Sequence, residues 1–318
     1  MNTALITGSS GFLGSNLSAK LIKKKFKVIG IDNFSTGLKK NTDTLMQLAG
    51  KQFQFIEADI SKDWSFLKSI PEDCLKSLKY VFHFASPASP IHYQRLALET
   101  MWANSIGLSR AIEFADTYSA KVIFASSSEV YGDPKESPQT ENYWGHVNSF
   151  GERSCYDESK RFGESLIYSH NKKNKTNHGL VRIFNTYGPG MNPNDGRVII
   201  NFVQQALKNE PLTIYGDGLQ TRSFCYVDDL LNGIEAYALA DITYPVNLGS
   251  ENEITILQLA HTIIKTLNSN SIIIHKNLPS DDPKFRQPDL TLSRKLFKKW
   301  SKNISLTDGI LNTAKSLN

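Results

Sequence analysis

The chain has 318 residues, 40% hydrophobic and 21% charged, an ordinary globular composition that excludes collagen, coiled coil and disorder. With 36 Lys and Arg against 31 Asp and Glu, the net charge is +5, and no basic block exceeds three residues, so nothing marks a nucleic-acid partner. Three widely spaced cysteines, Cys74, Cys155 and Cys225, form neither a disulfide framework nor a Cys-x-x-Cys metal site and point to a reducing compartment. No apolar run approaches the ~20 residues that span a bilayer. The amino terminus lacks the basic start and apolar stretch of a signal peptide, so the expected location is cytoplasmic, with no membrane partner.

In chain order, apolar runs at 3–7, 27–31, 53–57, 79–84, 120–126 and 179–184 read as strands. Their near-continuous apolar character suits a buried parallel sheet. Amphipathic stretches near 11–24, 92–117 and 151–173 read as the helices between them. This alternation predicts right-handed βαβ units and an α/β fold, a doubly wound sheet of Rossmann type over residues 1–185. Residues 186–222 are rich in Gly, Pro and Asn and read as functional loops. Helices near 197–208, 228–240, 255–268 and 305–316, with short strands near 213–215, 245–248 and 272–275, predict a smaller α/β lobe over 186–318. The chain is expected to cross between the two parts.

Gly8, Gly11 and Gly14 follow the first strand and open a helix. Glycines so placed allow a tight turn and a close approach to a pyrophosphate, while the helix amino terminus offers free N–H groups. Phe12 and Leu13 lie inside this turn. Asp32 ends the second strand, where a carboxylate accepts the adenosine ribose hydroxyls and repels a 2′-phosphate. No Arg follows closely, so NAD is favoured over NADP. Asn33 joins Asp32 in this set, and Asp59, after the third strand, is either an adenine contact or a helix cap.

Tyr156 and Lys160 stand four apart, on one face of a helix. A phenol of ordinary pKa ~10 is a poor base, and an ammonium one turn away is expected to lower that value. Ser126-Ser127-Ser128-Glu129 follows the fifth strand, whose carboxyl end should face the ligand crevice.

Taken together, the glycine turn, Asp32, the serine loop, Tyr156/Lys160 and the stretch Arg182–Pro189 resemble the extended short-chain dehydrogenases/reductases that act as nucleotide-sugar epimerases, dehydratases and decarboxylases. The resemblance implies bound NAD, a catalytic Ser127/Tyr156/Lys160 triad and a nucleoside-diphosphate sugar as substrate. It also implies that Ala85 and Ser86 lie beside the nicotinamide and ribose, that Pro87 and Tyr93 flank the substrate, that Lys160 binds the nicotinamide ribose, and that Asn185 binds the diphosphate.

All these enzymes begin by oxidising the sugar C4 hydroxyl. The 4-epimerases commonly have no acid at the position of Glu129. The 4,6-dehydratases carry Asp where this chain has Ser128, so dehydration lacks its second acid. The decarboxylases of UDP-glucuronate resemble the chain most, in Ser86–Pro90, Ser127–Pro134, Tyr143–Asn148, Ser154–Arg161, Asn194–Val198, Gln220–Phe224 and Arg286–Asp289. Ser159 departs from the Gly expected there, a swap not expected to touch the chemistry. The expected activity is decarboxylation of UDP-glucuronate to UDP-xylose, against a 4,6-dehydratase, a 4-epimerase or a non-catalytic NAD sensor.

By that resemblance Glu129 and Ser128 deliver the C5 proton, and Glu129 disfavours the substrate carboxylate. Arg286 holds the carboxylate or diphosphate, Arg197 and Arg222 are diphosphate candidates, and Tyr215 packs on the uracil. His83 is read as a core histidine and His146 as structural. No clustered His or Cys ligands are evident, so no metal is expected. The resemblance also implies a homodimer paired through the helices near 92–117 and 151–173.

Overall fold

A computed structural model describes residues 1–277, 286–298, 300 and 304–317. The elements begin with β1 (Thr3–Thr7), α1 (Phe12–Lys23), β2 (Lys27–Asp32), α2 (Lys39–Ala49), β3 (Phe53–Glu57), α3 (Glu72–Lys76) and β4 (Leu78–His83). There follow α4 (Pro90–Arg95), α5 (Ala97–Trp102), a π turn (Ala103–Gly107), α6 (Leu108–Thr117), β5 (Lys121–Ser127), α7 (Ser154–Asn174) and β6 (Gly179–Ile183). The remainder holds β7 (Thr186–Tyr187), α8 (Val198–Leu207), β8 (Leu212–Tyr215), β9 (Thr221–Ser223), β10 (Cys225–Tyr226) and α9 (Val227–Leu239). It continues with β11 (Val246–Leu248), β12 (Glu253–Thr255), α10 (Ile256–Leu267), β13 (Ile273–Lys276), α11 (Thr291–Leu296) and α12 (Leu306–Leu317).

Seven parallel strands form the central sheet in the order β11-β6-β5-β4-β1-β2-β3. Side chains alternate between its faces, so Ala4 and Ile6 join one core and Leu5 the other. The first core includes Leu17 and Leu21 of α1 with Leu230 and Ile234 of α9. The second includes Leu108 and Ile112 of α6 with Ile167 of α7. Both faces are covered, as apolar strands of this kind require.

The long helix expected over 92–117 is broken twice. Leu96 leaves helical geometry at φ −117°, ψ 48°, and the π turn widens the next segment by one residue. His83 explains how the wide turn is satisfied, because its Nε2 meets the Ala103 carbonyl at 3.0 Å. The strand expected at 245–248 joins the central sheet as β11, beside β6, and α9 packs on both. The chain therefore returns to the first layer after residue 185. The carboxy-terminal lobe is built on α8, α10 and α12 with the parallel pair β8–β13. Among the described residues no helix is long and apolar enough to cross a membrane.

Candidate active site

β1 lies between β2 and β4, so the strand order reverses there and a crevice opens at the carboxyl ends. Gly8 adopts φ +74°, and a Cβ on it would stand 2.7 Å from Ala85 N. A Cβ on Gly14 would overlap the Gly8 carbonyl. Only glycine permits this closeness of turn, helix and the β4 end. Gly11 caps α1 without a side-chain acceptor, leaving first-turn N–H groups for an anion. A cleft of about 320 Å³ is lined by Gly8, Gly11, Phe12, Leu13 and Gly14.

A smaller recess of about 80 Å³ adjoins it, lined by Asp32, Asn33, Asp59, Ala85 and Pro87, with Ser86 shared by both. Asp32 accepts Ser10 N–H at 2.9 Å and Phe34 N–H at 2.8 Å. Burial pushes its pKa up against the pull of these backbone donors. Asn33 Oδ1 takes Ser35 N–H, and Asp59 Oδ1 takes the N–H and hydroxyl of Ser61. Asp59 thus caps its own turn at the recess wall.

The cleft continues over Ser127, Ser128, Glu129, Tyr156, Lys160, Tyr93 and Asn185. The strand end of β5 brings Ser127, and the first two turns of α7 bring Tyr156 and Lys160. Burial pushes the Tyr156 phenol up to about 12, against a hydrogen bond with Ser127. Burial also drops the Lys160 ammonium to about 7. Lys160 Nζ donates to Ala125 O at 2.8 Å and Asn104 Oδ1 at 2.9 Å, and lies 5.5 Å from the Tyr156 ring centroid. Lys160 thus stands beside the phenol, as the one-face spacing predicts. The ammonium is committed to two acceptors beside the ring, and desolvation governs both groups.

Asn104 escaped sequence reasoning. The π turn carries it to Lys160, while its Nδ2 donates to Ser86 Oγ, Thr100 O and Ser159 Oγ. Ser159, expected to be neutral to the chemistry, thus binds the residue that holds the lysine. His83 is the core histidine anticipated. Its Nε2 must donate to Ala103 O, so Nδ1 accepts from Thr7 Oγ1 at 3.2 Å, and burial lowers its pKa to about 3.

Glu129 Oε2 receives Arg286 Nη2 at 2.8 Å and also Arg153 Nη2. Burial alone would raise this carboxyl, but Arg286, Arg153 and, more weakly, Arg222 outweigh it and hold it below its usual range. Two corrections follow. Glu129 carries matched charge rather than a bare negative charge facing a substrate carboxylate. Arg286, 3% exposed, spends Nη1 on Ser128 O and Nη2 on Glu129, although it lines the cleft. Its segment is strapped in place by Gln139 N to Gln287 O and Asp289 N to Gln139 O, each 2.8 Å. Arg153 falls within the helix expected over 151–173 but carries no assigned role there. Only its place at the α7 N-cap, one turn before Asp157, brings it in.

Arg197 reaches Asp195, Arg222 reaches the Thr221 carbonyl, and both line the cleft. Tyr215 does not. On β8 the buried Leu212 and Ile214 alternate with outward residues, so Tyr215 is 45% exposed, away from the cleft lining.

The fold also gathers Asp116, His170 and His178, which sequence spacing hid. Hydrogen bonding explains this group. Val122 N–H donates to His178 Nδ1 at 3.1 Å, so Nε2 carries the proton toward Asp116 Oδ1 at 2.9 Å and is not offered to a metal.

A glycine turn at a parallel-sheet switch point, an acidic end to the second strand and a Ser–Tyr–Lys set along the same crevice define a dinucleotide-binding enzyme of the extended short-chain dehydrogenase/reductase class. The chain belongs to the NAD-dependent epimerase/dehydratase family, whose model matches residues 4–249. It is 40% identical over 309 residues to UDP-glucuronic acid decarboxylase 1 of Xenopus tropicalis, covering 97% of this chain and 70% of that protein. It is likewise 40% identical over 309 residues to UDP-glucuronic acid decarboxylase 5 of Arabidopsis thaliana, covering 96% and 86%. Among solved structures, UDP-glucuronic acid 4-epimerase from Bacillus cereus, in complex with UDP-glucuronic acid and NAD, superposes with a TM-score of 0.86 at 26% identity, covering 99% of this chain and 98% of that one.

Proposed function

We propose that the protein decarboxylates UDP-glucuronate to UDP-xylose with NAD as a resident cofactor. The observation that carries this reading is one cleft joining Ser127, Tyr156 and Lys160 to a Glu129 clamped by two arginines. The identity to named decarboxylases across nearly the whole chain supports it.

The Gly8–Gly14 cradle and the Asp32 carboxylate fit a dinucleotide, since added Cβ atoms would fill the turn and the acid rejects a 2′-phosphate. Gly8, Gly11, Phe12, Leu13 and Gly14 would hold the diphosphate, Asp32 and Asn33 the adenosine ribose, Asp59 and Ala85 the recess walls, and Lys160 the nicotinamide ribose. When bound there, NAD would supply the hydride acceptor and donor that oxidation and re-reduction at the sugar C4 require.

Tyr156, reacting as its phenolate with the Lys160 ammonium one turn away, accepts the C4 hydroxyl proton, and Ser127 holds the C4 oxygen. A ketone at C4 makes the substrate a β-keto acid, so the C5–C6 bond breaks, CO2 leaves, and its electron pair enters the enolate. Glu129, held deprotonated, orients with Ser128 the water that protonates C5, and the hydroxide left behind takes up a proton from bulk solvent. Tyr156 then returns its proton to the C4 oxygen. Ser86, Pro87 and Tyr93 flank the sugar, while Asn185, Arg197 and Arg222 supply hydrogen-bond donors and positive charge for the nucleotide diphosphate, and Arg286 holds Glu129 and the Ser128 carbonyl at the reacting end.

In this reading residues 1–185 chiefly hold the dinucleotide and 186–318 the nucleotide sugar. A homodimer through α5 and α7 is supported by exposed Leu98, Met101, Trp102 and Phe162 on these neighbouring helices. Three buried cysteines, none in a disulfide, fit a reducing compartment such as the cytoplasm. The test is incubation with UDP-glucuronate and NAD, with the product followed by NMR. UDP-xylose is expected. A product retaining its carboxylate would instead establish a 4-epimerase.

A further inference from the structure

Asp157 follows Tyr156 on α7, is 5% exposed, and has no place in the chemistry above. Its Oδ1 is buried without a hydrogen-bond partner among the described residues. Its Oδ2 stands 3.8 Å from Arg153 Nε, beyond hydrogen-bond reach. Arg153 is engaged instead through Nη2 with Glu129 Oε2, the oxygen that also takes Arg286. One guanidinium thus stands between two carboxylates, hydrogen-bonded to Glu129 and in a longer ion pair with Asp157.

A water-excluded carboxylate oxygen with no donor is costly, so Asp157 favours its neutral acid. The groups facing it come from every side: Arg153, Cys155, Tyr156 and Glu158 on or beside α7, Glu129 after β5, Arg286 from the carboxy-terminal lobe, and Tyr93 on α4. Burial and the charge of Glu129 raise its pKa, Arg153 and Arg286 pull it back, and the balance lies at about 7. Arg153 also lies 5.8 Å from the centroid of the Tyr93 ring, which stacks on Tyr156. A shift of Arg153 would therefore be felt at both the carboxylate and the phenol.

We propose that Asp157 is a proton-dependent positioning residue: neutral, it leaves Arg153 to Glu129; ionised, it draws Arg153 to itself and loosens Glu129 from the reacting end of the cleft. This rests on the decarboxylase reading, in which Glu129 orients the proton delivered to C5.

The experiment compares wild type with Asp157→Asn, using kcat and KM against pH and infrared difference spectra over the same range. Activity of the wild type should fall on the alkaline side through kcat rather than KM. The variant should keep activity within about threefold below neutrality and carry its alkaline fall at least roughly one pH unit higher. A protonated-carboxyl band should titrate in the wild type and vanish in the variant. Should Asp157→Asn fail to fold, Asp157→Ser carries the same comparison. An unmoved alkaline fall, or no such band in the wild type below neutrality, would overturn the proposal. A titrating band in a protein that leaves UDP-glucuronate untouched would support the Asp157 switch and overturn the decarboxylase reading.

Discussion

Tyr93 lies flat against Tyr156, with ring centroids 4.9 Å apart and planes inclined by 11°. Stacking therefore fixes the reactive ring, and its hydroxyl is left to chemistry. Tyr156→Phe should keep the ring in place and remove only the proton path. Turnover should fall by about 10²–10⁴, with the melting temperature changed little. Steady-state kinetics and thermal melts check both. Near-normal turnover would refute the assigned role.

Lys160 gives a pH-dependent stability effect of definite sign. Its folded pKa of about 7 lies below the ordinary 10.5, so folding expels a proton between those values. The penalty is full below about 7 and fades as pH rises toward 10.5. Lys160→Met should abolish activity yet stabilise the fold by roughly 1–3 kcal/mol on the acidic side, after the loss of two hydrogen bonds. Its advantage should shrink in alkaline buffer. Denaturant melts at several pH values read the trend, and a constant difference would contradict it.

Gly14→Ala tests the cofactor cradle. The added methyl would overlap the Gly8 carbonyl, a backbone atom that cannot step aside cheaply. NAD affinity should drop at least about tenfold, or ~1.4 kcal/mol, by calorimetry. Unaltered affinity would place the dinucleotide elsewhere.

The proposed subunit contact would be made by α5 and α7. Leu98→Lys with Trp102→Glu inserts charge into the proposed apolar contact and should yield a monomer by sedimentation. A wild type that sediments as a monomer at micromolar concentration would remove the basis for that contact.

Six central strands were legible to within a residue or so, because each is a buried apolar run in a parallel sheet. Ser127, Tyr156 and Lys160 were legible because one strand end and one helix turn fix their spacing. Asn104 was not, since its importance arises from an extra residue in a helical turn. Arg153 was legible as helix but not as a partner of Glu129, because the pair joins a helix start to a loop 24 positions earlier. The destination of Arg286 depended on a strap between two loops about 150 positions apart, which no local pattern encodes. Asp116 and His178 stand 62 positions apart, so their meeting was equally hidden.

β11 has a practical consequence for anyone dividing the gene. It supplies the outer neighbour of β6, and its Asn247 bonds Tyr131, Glu141, Gln139 and Asp289. A fragment ending near residue 185 would leave β6 as a raw border with unpaired backbone groups and would strip Tyr131 of its buried acceptor. The dinucleotide half is not a portable module, and hybrid enzymes made by exchanging the carboxy-terminal lobe must carry residues 246–248 with the sheet they complete.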